Sequence, residues 1–86
     1  MTELEKKIIE VAKNIPFAGY GEYKLMNELY YGIARVMGYE LITVSMGRKT
    51  FRNMEDHDKV RKIIEGMEKK GIIKKSKSGQ TYKIAR

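Results

Sequence analysis

Apolar residues recur along this chain in two rhythms, and the change from one to the other predicts its elements. Leu4, Ile8, Val11 and Ile15 keep the three-and-four spacing of one helical face, which predicts a first helix over Thr2 to Lys13. Thr2 and Glu5 stand at the spacing of a capping box, where two side chains satisfy two free backbone N–H groups. Ile15 precedes Pro16, whose ring pushes it out of helical geometry and ends the helix. Phe17 to Gly21 is a glycine-punctuated connector. The helical rhythm returns from Glu22 to Met37, with Leu25, Leu29, Ile33 and Val36 on one side and Gly38 at the expected stop. Tyr23, Met26, Tyr30 and Met37 form a second stripe beside it. A helix apolar on two sides packs between elements or meets another chain. Packing within the domain is preferred, and the edge of Tyr23, Tyr30 and Tyr31 is the candidate dimer surface.

Val60, Ile63, Ile64 and Met67 mark the buried face of a last helix that begins near Asp56. Asp56 and Asp58 suit the positive end of its dipole, Lys69 and Lys70 the negative end, and Gly71 the left-handed closure. Ile72 to Lys75 and Gln80 to Ile84 then flank Ser76-Lys77-Ser78-Gly79 as two strands around a turn. The middle of the chain has two readings. Leu41 to Val44 is β-branched and suits a short strand. Ile33-Ala34, Gly38, Tyr39 and Val44 also fit a helix-turn-helix, with a small residue where two helices touch and a glycine at the turn. Against that stands Gly47, where the second helix should present an apolar residue. The stretch from Leu41 to Arg52 thus stays open between strand and helix.

Length and charge narrow the picture. The 86 residues suit one domain spanning 1–86, near the size at which a single core just suffices. Without cysteine, neither disulfides nor a thiolate metal site supplements that core. The longest aliphatic run, Leu41 to Val44, is too short for a bilayer, and MTELEKK lacks the apolar stretch of a signal peptide. A cytoplasmic protein with no membrane partner is expected. Residues 1–38 hold five bases and five acids, whereas 39–86 hold thirteen bases and six acids, so the whole excess of +7 lies in the second half. From Gly71 onward there is no acid. Such asymmetry is what a polyanion-binding face produces; the plainer reading is a solvated, lysine-rich tail. Abundant Lys, Glu and Ile with a single glutamine give the composition an archaeal or thermophile-like cast.

The succession LEKKIIEVAKNI, GEYKLMNELYYGIARVMG, YELIT and KVRKIIEGMEKKGII, followed by a glycine-containing hairpin, resembles winged helix-turn-helix DNA-binding domains. Its nearest flavour is the C-terminal domain of archaeal replication initiators, and the ending Val60, Ile63, Met67, Gly71, Ile72 and Ile73 is also MarR-like. The resemblance implies an α+β, mainly helical fold: three or four helices plus a C-terminal two-stranded β-hairpin wing, with a nucleic-acid-binding role. Two departures stand out. About a dozen residues, Val44 to Glu55, are extra before the last helix, and an initiator's ATP chemistry does not carry over.

Catalytic signals are missing from the sequence. His57 is the one histidine, too little for a zinc site without cysteine. Gly19-Tyr20-Gly21 lacks the strand and further glycine of a phosphate loop, and Ser45, Ser76 and Ser78 have no histidine and acid around them. A binding protein with no enzymatic activity, cofactor, metal or small-molecule substrate is therefore expected. His57 is read as a helix-start residue near a DNA phosphate. The candidate contacts are Arg48, Lys49, Thr50, Arg52 and Asn53 in the entry segment, then Lys59 and Lys62 on the last helix. Lys75, Lys77 and Lys83 of the wing suit phosphate or the minor groove. Asp58 and Glu65 on the outer face of that helix argue for end-on approach by its first turn rather than deep insertion. The expected function is a small transcriptional regulator binding duplex DNA, as a homodimer if the site is palindromic. The alternative is a winged-helix protein–protein interaction module without direct DNA binding.

Overall fold

The computed structural model describes residues 1–17 and 21–85, and among these three helices and five short strands form a small α+β domain. The centre of the glycine-punctuated connector, residues 18–20, and the terminal Arg86 lie outside the described residues. No helix among the described residues is long and apolar enough to cross a membrane.

Local chemistry sets the helix ends. α1 (Glu3–Lys13) opens on Thr2, whose hydroxyl accepts the Glu5 N–H at 3.1 Å while the Glu5 carboxylate accepts the Thr2 N–H at 2.8 Å. The capping box is complete, and Ile8 and Ala12 turn into the core. α2 (Met26–Met37) and α3 (Met54–Lys69) close alike. Gly38 and Gly71 take φ of 76° and 75°, and the next residue's N–H reaches back to the last turn. Tyr39 donates to the Ala34 carbonyl at 2.8 Å, and Ile72 donates to Met67 at 2.9 Å. These closures satisfy carbonyls that would otherwise be orphaned. α3 begins at Met54 rather than Asp56, because Asn53 caps it by accepting the Glu55 N–H at 3.1 Å.

α2 runs between α1 on one side and α3 with a hairpin on the other. At Gly32 a Cβ would lie 2.5 Å from Val11 Cγ1, so the missing side chain lets α1 and α2 approach. Leu29, Ile33 and Ala34 of α2 meet Val60, Ile64 and Met67 of α3 in one buried cluster with Ile8. Each large aliphatic side chain buried there contributes roughly 1.5–3 kcal/mol.

β1 (Lys24–Leu25), β4 (Ile73–Lys75) and β5 (Thr81–Ile84) form an antiparallel sheet in the order β1-β5-β4. Ile73 lies opposite Ile84 and Lys75 opposite Tyr82 in the C-terminal hairpin, whose two strands flank the turn as the sequence predicts. The helix predicted from Glu22 starts later, at Met26. Lys24 and Leu25 are extended because their backbones pair with Tyr82 and Thr81, and the Met26 N–H donates to the Gln80 carbonyl at 2.9 Å. Buried Lys24 donates to the Ala12 carbonyl near the end of α1, a favourable place for a cation.

β2 (Leu41–Thr43) and β3 (Lys49–Phe51) make a second antiparallel pair, with Leu41 opposite Phe51 and Thr43 opposite Lys49. The helix-turn-helix spacing over residues 33–44 is thereby overturned. After Gly38 the β-branched run extends, and Gly47, which would leave a second helix without a core side chain, serves a tight turn instead. Met46 and Gly47 both take positive φ, 56° and 74°, and the Arg48 N–H donates to the Ser45 carbonyl at 3.1 Å. Consecutive positive φ values match the twist of a two-stranded ribbon. The hairpin docks on α2 through tyrosines. The Tyr31 hydroxyl donates to the Lys49 carbonyl at 2.8 Å, and Tyr30 meets the buried Phe51 edge-on with ring centroids 6.5 Å apart.

Candidate nucleic-acid interface

The cations of the second half sort into two groups once the fold brings their neighbours together. Arg52 Nη1 lies 3.5 Å from Glu40, Lys75 Nζ 3.4 Å from Glu68, and Lys83 Nζ 3.5 Å from Glu22. Lys83 also sits 5.7 Å from the Tyr23 ring centroid, and Lys59 sits 5.8 Å from that of Tyr39. Asn53 is taken up as the cap of α3. Of the sequence-predicted contacts, Arg48, Lys49, Lys62 and Lys77 are exposed, and among the described residues none of these four has an acidic partner. The outer face of α3 carries Asp58 paired with Arg61 at 3.6 Å, besides Glu55, Glu65 and Glu68. Its middle is no better suited to a phosphate backbone than the sequence suggests.

A cleft of about 650 Å³ opens where the two hairpins face each other across the start of α2. Arg48, Lys49 and Thr50 line it from β3 and the turn before it, and Gly79 and Gln80 from the wing turn. Asn27, Tyr30, Tyr31 and His57 add further polar groups, Leu25, Met26 and Phe51 add apolar ones, and among the described residues no carboxylate lines it. Gly79 takes φ +74° with its N–H donating to the Ser76 carbonyl at 3.0 Å, which sets the wing turn beside Lys77. A cavity offering guanidinium, ammonium, amide and hydroxyl groups, and no acid, fits an anion whose oxygens accept several hydrogen bonds. A second cleft, about 730 Å³, is lined by Lys13, Lys24, Lys83 and Glu22, and each of its cations already has a partner: Lys13 has Glu10, Lys24 the Ala12 carbonyl and Lys83 Glu22.

His57 stands in the first turn of α3, the helix-start position expected of it, and lines the cleft. Its ring stacks on Tyr30 at 5.1 Å and meets Phe51 edge-on at 5.3 Å, which makes it part of the packing between α3, α2 and β3. Burial raises the Tyr30 phenol above its ordinary value, so it remains a neutral donor at the cleft. Tyr30 and Tyr31 have partners within the chain, and Tyr23 carries the Lys83 ammonium. Sequence reasoning did not pick out Asn27 or Gln80 for the site. They arrive through the pairing of β1 with β5, which leaves no local signal. No group of three or more histidines or carboxylates among the described residues is arranged to hold a metal ion. Comparisons with protein-family models, with curated proteins and with solved structures find no match to this chain.

Proposed function

We propose that this chain is a small duplex-DNA-binding protein of winged-helix-like architecture, acting as a transcriptional regulator. The observation that carries the reading is the acid-free cleft between the two hairpins, with Arg48 and Lys49 on one side and the wing turn bearing Lys77 close to the other. A third helix followed by an antiparallel hairpin, with β1 added beside β5, is compatible with the winged-helix plan. Hairpin β2–β3 stands where that plan has a short turn between its second and third helices. DNA phosphates take up the unpaired cations, and Thr50, Asn27 and Gln80 supply neutral hydrogen-bonding groups beside them. A second copy of the chain, bound to the other half of a palindromic site, doubles the buried surface that one 10.0 kDa domain offers.

The test is a binding isotherm on mixed-sequence duplex over a range of salt, comparing the native chain with an Arg48→Gln, Lys49→Gln, Lys77→Gln variant. Each lost phosphate contact should make the slope of log K against log salt shallower by about 1, so about 3 in total. Lys6→Gln, Lys7→Gln, Lys13→Gln in α1 removes equal charge and should leave most of the slope. Equal losses in the two variants, or none in the first, overturn the proposal. Retention of a protein partner by a chain with no affinity for duplex favours the interaction-module alternative.

A further inference from the structure

The tip of hairpin β2–β3 holds an apolar side chain in a conformation that apolar side chains avoid. Met46 has φ 56° and ψ 34°, and among the described residues it is the one non-glycine with positive φ. Asn, Asp and Gly occupy that region readily, by local hydrogen bonding or by lacking a Cβ. Methionine does neither. Burial returns nothing either, because Met46 is 98% exposed, and Val44 beside it is 48% exposed. The base of the hairpin, in contrast, is firmly seated. Phe51 is buried against Tyr30 and His57, and the Tyr31 hydroxyl holds the Lys49 carbonyl at 2.8 Å. The hairpin is thus a braced arm that ends in a flexible, polarisable apolar point. Arg48 and Lys49, two of the four predicted contacts without an acidic partner among the described residues, follow after Gly47.

We propose that Met46 is a wedge that enters the DNA. In this arrangement, which rests on the DNA-binding reading above, Arg48 and Lys49 seat the arm on phosphates. The Met46 side chain slides part-way between two base pairs, unstacks them and bends the duplex. A two-stranded ribbon has the width of a groove, and unbranched or aliphatic side chains are the ones that open base steps. The cost of holding a thioether in water at positive φ is met only when the stacked bases receive it. The surrounding positive charge makes a nucleic acid, rather than an apolar protein surface, the matching partner.

The experiment uses a short duplex with a fluorophore at each end and 2-aminopurine at flexible pyrimidine–purine steps. The native chain and Met46→Leu, which keeps an apolar point, should bend it by about 20–90° and brighten the 2-aminopurine. Met46→Gly and Met46→Asn fit the backbone at least as well as methionine, so they should melt no lower than the native chain. Both should keep the native salt slope, because the phosphate contacts remain, yet leave the duplex straight and the 2-aminopurine quenched. Bending by Met46→Gly equal to the native chain overturns the wedge. A native chain that binds without bending also overturns it, while the DNA-binding reading stands. No binding to duplex at all removes both. A dimer in sedimentation without DNA that vanishes in Met46→Gly shows the tip covered by a second copy, and overturns the wedge as well.

Discussion

Replacing glycine by alanine inside a helix ordinarily stabilises it by about 1 kcal/mol, because less backbone freedom is lost on folding. Gly66, in the last turn of α3, meets this condition, since an added Cβ has no heavy atom within 4 Å. Gly66→Ala should therefore raise the thermal midpoint, by about 4–8 °C if the full 1 kcal/mol is realised in a domain of this size. Gly32 should respond in the opposite direction. Its added Cβ would meet Val11 Cγ1 at 2.5 Å, and a valine in a helix has little rotamer freedom with which to yield. Overpacking costs about 1–3 kcal/mol, enough to exceed the helix-propensity gain. Gly32→Ala should lower the midpoint in the same calorimetric scan, and a rise would show that α1 and α2 part without cost. In the sequence both are single glycines inside helical runs. Nothing local tells them apart, because the difference is made by a valine from another helix. The candidate site divides in the same manner. Arg48 and Lys83 look alike as exposed cations, and only the fold gives Lys83 its Glu22.

Elements are tied together by side chains that the sequence places far apart. The Glu5 carboxylate accepts the Thr2 N–H at 2.8 Å with one oxygen and the Lys70 ammonium at 2.9 Å with the other, fastening the start of α1 to the end of α3. The Thr2 N–H first, and Lys70 second, hold the Glu5 pKa at about 2, below its ordinary 4.5, against the opposing effect of burial. A depressed carboxylate pKa means that the unfolded chain takes up the proton first as pH falls. The stability this group contributes is complete above about pH 4.5 and is lost as pH drops towards about 2. Melting curves followed by circular dichroism across that window should fall more steeply for the native chain than for Glu5→Gln. Lys70→Gln should lie between them, because the Thr2 N–H remains. Parallel curves for native and Glu5→Gln chains would refute this coupling. The capping box half of the arrangement is legible from Thr2 and Glu5, as are the three helices and the C-terminal hairpin, whose periods and end residues are local. β1 is not legible. Two residues acquire strand geometry only by lying against Tyr82 and Thr81, while their own pattern continues the helix that follows. Hairpin β2–β3 is half legible: Leu41 to Thr43 shows its β-branching, but Lys49-Thr50-Phe51 presents mainly as charge.

At the scale of the whole molecule, the excess of +7 in the second half is a property any reader of the sequence obtains, but its direction in space is not. Acids from the first half and from α3 reach Lys83 and Lys75, so part of that charge is answered internally, and Arg48 and Lys49 carry field outward at the cleft. Two double variants separate total charge from placed charge. Arg48→Gln, Lys49→Gln and Lys75→Gln, Lys83→Gln each remove two charges from +7 and leave +5. Exposed ion pairs contribute only about 0–1 kcal/mol, so folding should survive both changes nearly intact. Binding should not respond equally. A lysine beside a carboxylate presents little net potential to a phosphate, and losing it displaces few counterions. The cleft double should therefore make the salt slope on duplex shallower by about 2, and the wing double by well under half of that. Its association rate should also lose more of its salt dependence, because steering follows the field outside the molecule rather than the charge count. If the two doubles weaken binding alike, the protein interacts with DNA as a diffuse polycation, and neither the cleft nor the arm beside it directs the encounter.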